Sequence, residues 1–364
     1  MKRSARIVLI VVAACIVTGG TAFGVLIATT WGEYRYSNTY YYTPGAPSPI
    51  EELGVLCDVG KININYNSTP TDYYTKIELN IRIIGGFVEG KTFSDFFYPL
   101  QWLNGSSPIT FDLDTKPTTW FIFGISYNIT IDVTLRTDII YDISAISSTG
   151  SIKMNTPDNS IVNNAILETS TGSISLNTAE NTTFQGSLEM TTSTGSITMF
   201  AKKTDFSHGL KTSTSTSHLI LNFTSCVIGG NLKGMSSTGS IVINSYNMIY
   251  TTNSIWDFDT STGSIDVNIF QYIEMGANVT GSVMTSTASI DVYYKDNSAN
   301  IGTKFTCSTS TGSIGYSSIG TGGFTETGVD PIIITSDDYN IASNKYTLSI
   351  ATSTGSIGIQ GESL

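Results

Sequence analysis

The acids are the first side chains in this 364-residue sequence whose type and spacing could do chemistry. Asp266 and Asp291 each fall three residues after a recurring corner position, and Asp259 is close by in sequence. Carboxylates held that near one another repel unless water screens them or a hard cation such as calcium bridges them. Asp259, Asp266 and Asp291 are therefore the candidate calcium ligands, set against the plainer reading of solvated surface acids. The Gly-Gly-x-Gly-x-Asp signature of calcium-binding solenoids does not occur.

His208 and His218 are the only histidines, and no Gly-x-Ser-x-Gly motif, paired carboxylates or zinc-ligand spacing accompanies them. Nucleophilic or metal-assisted catalysis needs such partners within hydrogen-bond reach. The expectation is a chain without catalytic residues or cofactor, not an enzyme. A third group is the Thr-Ser-Thr triplet, found at 169–171, 192–194, 214–216, 260–262, 285–287, 309–311 and 352–354. Stacked at strand spacing, these hydroxyls could satisfy turn backbone, offer a carbohydrate- or surface-binding face, or bind ice. By parity they share the face of Leu188, Met190, Phe305 and Cys307, which points them inward or into a corner.

The elements that must position these groups are repeats. Ser-Thr-Gly-Ser-Ile recurs with its glycine at Gly150, Gly172, Gly195, Gly239, Gly263, Gly312 and Gly355, and degenerate copies place Ser217 and Ala288 at the same position. The period is 22 to 25 residues until a last interval of 43, about two periods, as if a rung near Ile332 to Ser336 had lost the motif or become a loop. Such a fixed period marks a stacked-repeat architecture. Two and four residues after each corner stand apolar side chains, from Ile152 and Met154 to Ile357 and Ile359. That alternation is a strand with one buried face, and the period leaves no room for a useful helix. Alternating apolar residues before the corner, as in Trp256-x-Phe258, indicate a second strand, and glycine between the two suggests a sharp corner taken at positive φ. The fold class expected is all-β: a parallel β-solenoid over residues 143–364, with handedness open.

Upstream, short alternating runs such as Lys61 to Tyr66 and Lys76 to Ile81, broken at Gly85-Gly86 and Asn104-Gly105, predict a separate small β-rich domain over 51–142. Residues 31–50, with Tyr40-Tyr41-Tyr42 and prolines at 44, 47 and 49, predict an extended stalk. Ile7 to Thr30 carries no charge and is long enough to span a ~30 Å hydrocarbon core as a helix. Lys2, Arg3 and Arg6 precede it and Glu33 follows, so residues 1–6 are expected inside, 7–30 in the bilayer as a signal anchor, and the rest outside. Trp31, Tyr34 and Tyr36 fall where an interfacial aromatic belt would be. A cleaved signal ending near Gly19-Gly20-Thr21-Ala22 is the alternative, and it too exports the chain.

Beyond residue 30 the chain has 15 Lys and Arg against 29 Asp and Glu, which excludes nucleic acid as a natural partner. Asn-x-Ser/Thr sequons at Asn67, Asn104, Asn128, Asn181, Asn222 and Asn278 suit a glycosylated outer surface. Cys15 lies in the expected span; Cys57, Cys226 and Cys307 are odd in number and widely spaced, and read as buried unpaired side chains rather than a disulfide framework.

The Gly-Ser-Ile strand-turn-strand repeat, led in by Ile129 to Val133 and Ile143 to Gly150, resembles the family described as putative adhesins over roughly residues 128–360. The resemblance implies a bacterial or archaeal cell-envelope domain, often membrane-anchored, built on Ser-Gly-Asp-Ile repeats, with no catalytic residues to carry over. Here Ser replaces the usual Asp. The expected function is a membrane-anchored, extracellular, non-enzymatic adhesion or envelope structural module. Its partners would be surface glycans or envelope proteins. A glycan-binding or glycan-cleaving β-helix and an envelope-stress sensing component are the alternatives. The last motif glycine lies within one strand of Leu364, so an uncapped final coil is expected to add a partner strand or self-associate.

Overall fold

The computed structural model describes residues 31–45, 48–69, 71–105, 108–117, 124–296, 300–319 and 323–363. The cytoplasmic stub and membrane span expected over 1–30, and Cys15 with them, lie outside the described residues. Among the described residues no helix is long and apolar enough to cross a membrane.

The fold is all-β, with two long, mainly parallel sheets running the length of a solenoid. Each repeat places the strand after the corner in the first sheet and the strand before it in the second. Ile174–Thr178 pairs in parallel with Ile152–Thr156 on one side and Ile197–Lys202 on the other, isoleucine beside isoleucine. The column Ile62, Ile152, Ile174, Ile197, Leu219, Ile241, Ile265, Ile290 and Ile357 is fully buried, and the second apolar column from Met154 to Ile359 lies behind it. One coil cannot cover that inward face, so stability belongs to the stack.

Close approach, not positive φ, explains the motif glycine. None of the seven takes a left-handed φ. A Cβ on Gly172 would sit 1.8 Å from the carbonyl oxygen of Gly150, and one on Gly195 would sit 1.8 Å from that of Gly172. The left-handed turns fall at another corner, at Asn159, Asn181, Lys203, Ser225 and Asn247, with φ between 46° and 59°.

The expected stalk is instead a strand. Trp31–Tyr42 pairs antiparallel with Thr75–Gly86 and forms one edge of the first sheet. The prolines at 44, 47 and 49 all follow it, so no donor is missing from its ladder. Tyr34 and Tyr36 pack on Phe96 and Phe93 of a single helical turn, not free in a belt. The 51–142 segment is likewise continuous with the solenoid. Glu51–Cys57 pairs in parallel with Tyr141–Ser147, and Lys61–Asn67 with Ile152–Thr156. Gly60 lies directly against Gly150, so Leu53 to Ile64 is a coil whose corner keeps the glycine and the apolar positions but has Asp58-Val59 for the Ser-Thr lead and Lys61 for the following serine. Ser126–Arg136 and Ile109–Leu113 add beside that coil, and Thr75–Gly86 and Trp31–Tyr42 close the end.

At the other end the chain leaves sequence order. Ile290–Asp296 pairs with Ile357–Ser363, which pairs on its far side with Ile314–Ile319. The second sheet repeats this: Val279–Thr285, then Asn344–Thr352, then Ile301–Thr309. The Gly355 coil is thus inserted between those of Ala288 and Gly312, and the long interval is an excursion that builds the outermost coil first. Ile332–Ser336, expected as a degenerate rung, is one arm of a hairpin with Phe324–Thr327 that lies antiparallel on Ile301–Thr309. Tyr346 pins the re-entrant strand, its ring edge-on to Tyr250, Trp256 and Tyr294 at 5.9 to 6.3 Å. The uncapped final coil is therefore corrected: its strands have neighbours on both sides, and the edge of the first sheet is Ile314–Ile319.

Candidate functional site

Most polar groups of the stack are spent on the stack. Thr192 Oγ1 accepts the Gly195 N–H at 3.2 Å and donates to the Gly172 carbonyl at 2.9 Å. The same relay runs through Thr169, Thr260, Thr309 and Thr352. The exposed third residue of six of the seven triplets also donates between coils, as Thr194 to the Ser170 carbonyl at 3.2 Å. Neither row of threonines offers a set of uncommitted donors. Outward asparagines do likewise: Asn244 donates to Asn222 at 2.8 Å and Asn268 to Asn244 at 2.9 Å. Charges on the second sheet alternate, with Lys211 on Glu189 at 2.5 Å and Lys233 on Asp257 at 2.9 Å.

One region of the first sheet breaks this pattern. Strand register sets its outward side chains in rows: Val242, Asn244, Tyr246; then Asp266, Asn268, Phe270; then Asp291, Tyr293, Lys295; then Gly358, Gln360, Glu362; then Gly315 and Ser317. Asp266 and Asp291 are direct partners across the ladder, where like charges destabilise. Burial, and then the neighbouring Asp291 charge, push the Asp266 carboxyl above the usual carboxylate range. Among the described residues no salt bridge neutralises either acid.

Beside them the two glycines leave a recess. A Cβ on Gly358 would reach Asp291 Oδ1 at 2.5 Å, whereas one on Gly315 would meet nothing within 4 Å. The resulting cleft of about 560 Å³ is lined by Asp266, Asp291, Asn268, Tyr293, Gln360 and Ser317, among others. Aromatic rings continue from it along the stack. Tyr293 and Phe270 have centroids 5.3 Å apart, Phe270 and Tyr246 6.4 Å, and Tyr246 and Tyr272 5.7 Å. Tyr293 is held by donation of its hydroxyl to Glu362 at 2.7 Å, and Glu362 by Lys295 at 2.5 Å. These hydrogen bonds keep the Glu362 carboxyl below its ordinary value.

The expected calcium trio is divided. Asp266 and Asp291 share a face, but Asp259 projects from Ser254–Thr260 in the second sheet, between Met235 and Met284. Among the described residues no group of three or more acids, histidines or cysteines is placed to hold a metal. His208 and His218 stand exposed at two different corners of one coil. Cys57, Cys226 and Cys307 are buried and unpaired. Of the sequons, Asn104 and Asn128 are exposed and Asn67 half-buried, whereas Asn181, though exposed, donates to Asn159 at 3.2 Å, Asn222 is committed to its amide ladder and Asn278 Oδ1 accepts the Lys345 N–H. The residues missed in sequence, Tyr246, Phe270, Tyr293 and Gln360, occupy the fifth and seventh positions after each corner. Reading those outward columns as closely as the inward ones would have found them.

No protein-family model and no curated protein matches the chain. Solved structures do, at low identity. One is described as a putative cell adhesion protein from Clostridium sporogenes, with 10% identity, 90% of this chain and 100% of that chain covered, and a TM-score of 0.23. A putative adhesin from Bacteroides fragilis gives 12%, 90% and 97%, with a TM-score of 0.34. A putative lipid binding protein from Parabacteroides distasonis gives 9%, 89% and 96%, with a TM-score of 0.40.

Proposed function

We propose that this chain is a non-enzymatic surface-interaction module. Residues 7–30 hold it in the membrane, residues 1–6 lie inside, and the solenoid stands outside, recognising envelope material through the outward grid around Asp266, Asp291 and Tyr293. Glycosylation, where the host performs it, falls on Asn104 and Asn128, whose side chains are exposed and, among the described residues, make no hydrogen bond along the stack. The observation that carries the reading is the contrast on one face. In the middle coils its asparagines bond coil to coil and no two like charges are paired across the ladder, while here two like charges sit side by side next to a recess and a row of rings. A scaffold gains nothing from that arrangement, and local costs of this kind concentrate at functional sites.

Two measurements test it on the full chain. Protease digestion of intact cells should remove the solenoid while leaving the stub protected. Envelope fractions passed over the immobilised chain should leave material on the wild type, with at least a tenfold loss for the Tyr246→Ala/Asp291→Asn double variant. A protected solenoid, or equal retention by both proteins, contradicts the reading.

A further inference from the structure

Resting on that reading, we infer that the grid binds an uncharged polysaccharide chain laid along the solenoid axis, its sugar rings on the aromatic row and its hydroxyls in the acidic cleft. Each part of this follows from a different feature. Tyr246, Phe270 and Tyr293 come from successive coils, so their ring spacings of 5.3 and 6.4 Å run with the stack, not across it. Coils recur at the strand spacing of ~4.8 Å, the scale of one pyranose ring in an extended chain. A polymer of sugars therefore meets a ring, or the gap between two, at every step. The apolar C–H faces of sugars suit such rings, which offer broad, rigid contact.

The polar half of the site has matching chemistry. When ionised, Asp266 and Asp291 only accept; Asn268 keeps its carbonyl oxygen and one N–H beyond its bond to Asn244, Gln360 is acceptor and donor at once, and Ser317 is exposed at the rim. Vicinal hydroxyls satisfy such a mixed set, since each can donate to a carboxylate and accept from an amide. The open space at Gly315 gives a ring or its substituents room next to Asp291, whose carboxylate lies over Gly358. The same acids decide against anionic polymers: a uronate or phosphate there would add a third negative charge to a pair that already repels. The face does not have the multiplied, uncommitted hydroxyls that an ice-ordering surface requires, because the repeated threonines lie at the corners, bonded between coils, and the strands carry only scattered ones such as Thr198.

The test is a titration of the full chain with β-linked neutral glucan and mannan oligosaccharides of two to six sugars, and with polygalacturonate. Binding of at least one neutral series should strengthen at least tenfold between two and four sugars and then level off, as the chain outgrows the row. Tyr246→Ala and Asp291→Asn should each weaken it at least tenfold. Phe200→Ala, an exposed ring removed on the same face away from the grid, should leave it within twofold. Polygalacturonate binding as tight as the neutral series, no dependence on length, or unaltered affinity in Tyr246→Ala would overturn the inference. If no neutral series binds while the double variant still loses its hold on envelope material, the glycan assignment fails and the interaction reading stands. If both are lost, the two fail together.

Discussion

The middle coils and the C-terminal coils share one sheet and one corner motif, yet they use their outward faces differently. From Ile152 to Asn244 the face carries a row of asparagines bonded along the stack, Asn155, Asn177, Asn222 and Asn244, among scattered small, apolar and lysine side chains, and consecutive coils follow the order of the chain. From Asp266 onward acids, aromatic rings and glycines appear, and chain order breaks to bring Gly358 beside Asp291. Regularity builds a rod; the irregular re-entry builds a surface whose two adjacent acids no salt bridge among the described residues neutralises. A stack can carry such a region because its cohesion is made coil by coil, so neighbouring coils need not share its cost.

That contrast can be broken from either side. The largest effect is expected in the middle, where Gly195→Ala drives a methyl into the Gly172 carbonyl. The corners at Ser217 and Ala288 hold a Cβ, so the backbone can give locally, but at this close-packed corner the shift should lower the unfolding midpoint by about 10 °C, on the order of 4 kcal/mol. A midpoint within 2 °C of wild type would show that the corners do not touch.

At the C-terminal end, Tyr346→Ala removes a buried ring from among three others and should cost about 3–5 kcal/mol in denaturant unfolding. Because the re-entrant strand would loosen first, limited proteolysis should cut near 344–363 before the middle coils. Early cleavage in the middle instead would mean that the re-entry is not the separable part.

Asp296, buried at the end of the strand that carries Asp291, sharpens the comparison through pH. Burial pushes its carboxyl up to about 6, against an ordinary 3.8, even though it accepts the Tyr294 hydroxyl. The folded state thus favours the protonated form. Stability from this group is full below about pH 4 and is lost as pH rises towards 6, by at most about 3 kcal/mol. Urea unfolding at pH 4 and pH 7 should show the loss in wild type and not in Asp296→Asn; equal slopes would contradict it.

The smallest effect separates two rows of hydroxyls. Thr192→Val orphans a buried N–H and a buried carbonyl and should cost about 1–3 kcal/mol, whereas exposed Thr194→Val should cost less than about 1 kcal/mol. Equal costs would mean that both rows are surface decoration.

Inward patterning was legible in sequence because burial imposes it at every coil: Ile152 to Ile357 declares the strand, the face and the period together. Two things were not. The Gly60 corner was hidden by local composition, since Asp58-Val59-Gly60-Lys61-Ile62 keeps the glycine and the apolar positions but not the Ser-Thr lead. The order of the last coils is a matter of pairing, and parallel neighbours of nearly identical sequence give no local signal of which lies next to which. The grid was legible only in part: Asp266 and Asp291 were picked out, but Asp259 was grouped with them because it is near in sequence, although a corner puts it in the other sheet.

Hydrogen exchange on the full chain tests the re-entry most directly. The amides of Ile357–Ser363 should exchange as slowly as those of Ile265–Gln271, and Ile314–Ile319 should exchange clearly faster, as the outer strand of its sheet. Fast exchange in Ile357–Ser363 with slow exchange in Ile314–Ile319 would put the coils back in chain order, and the recess beside Asp291 would not exist.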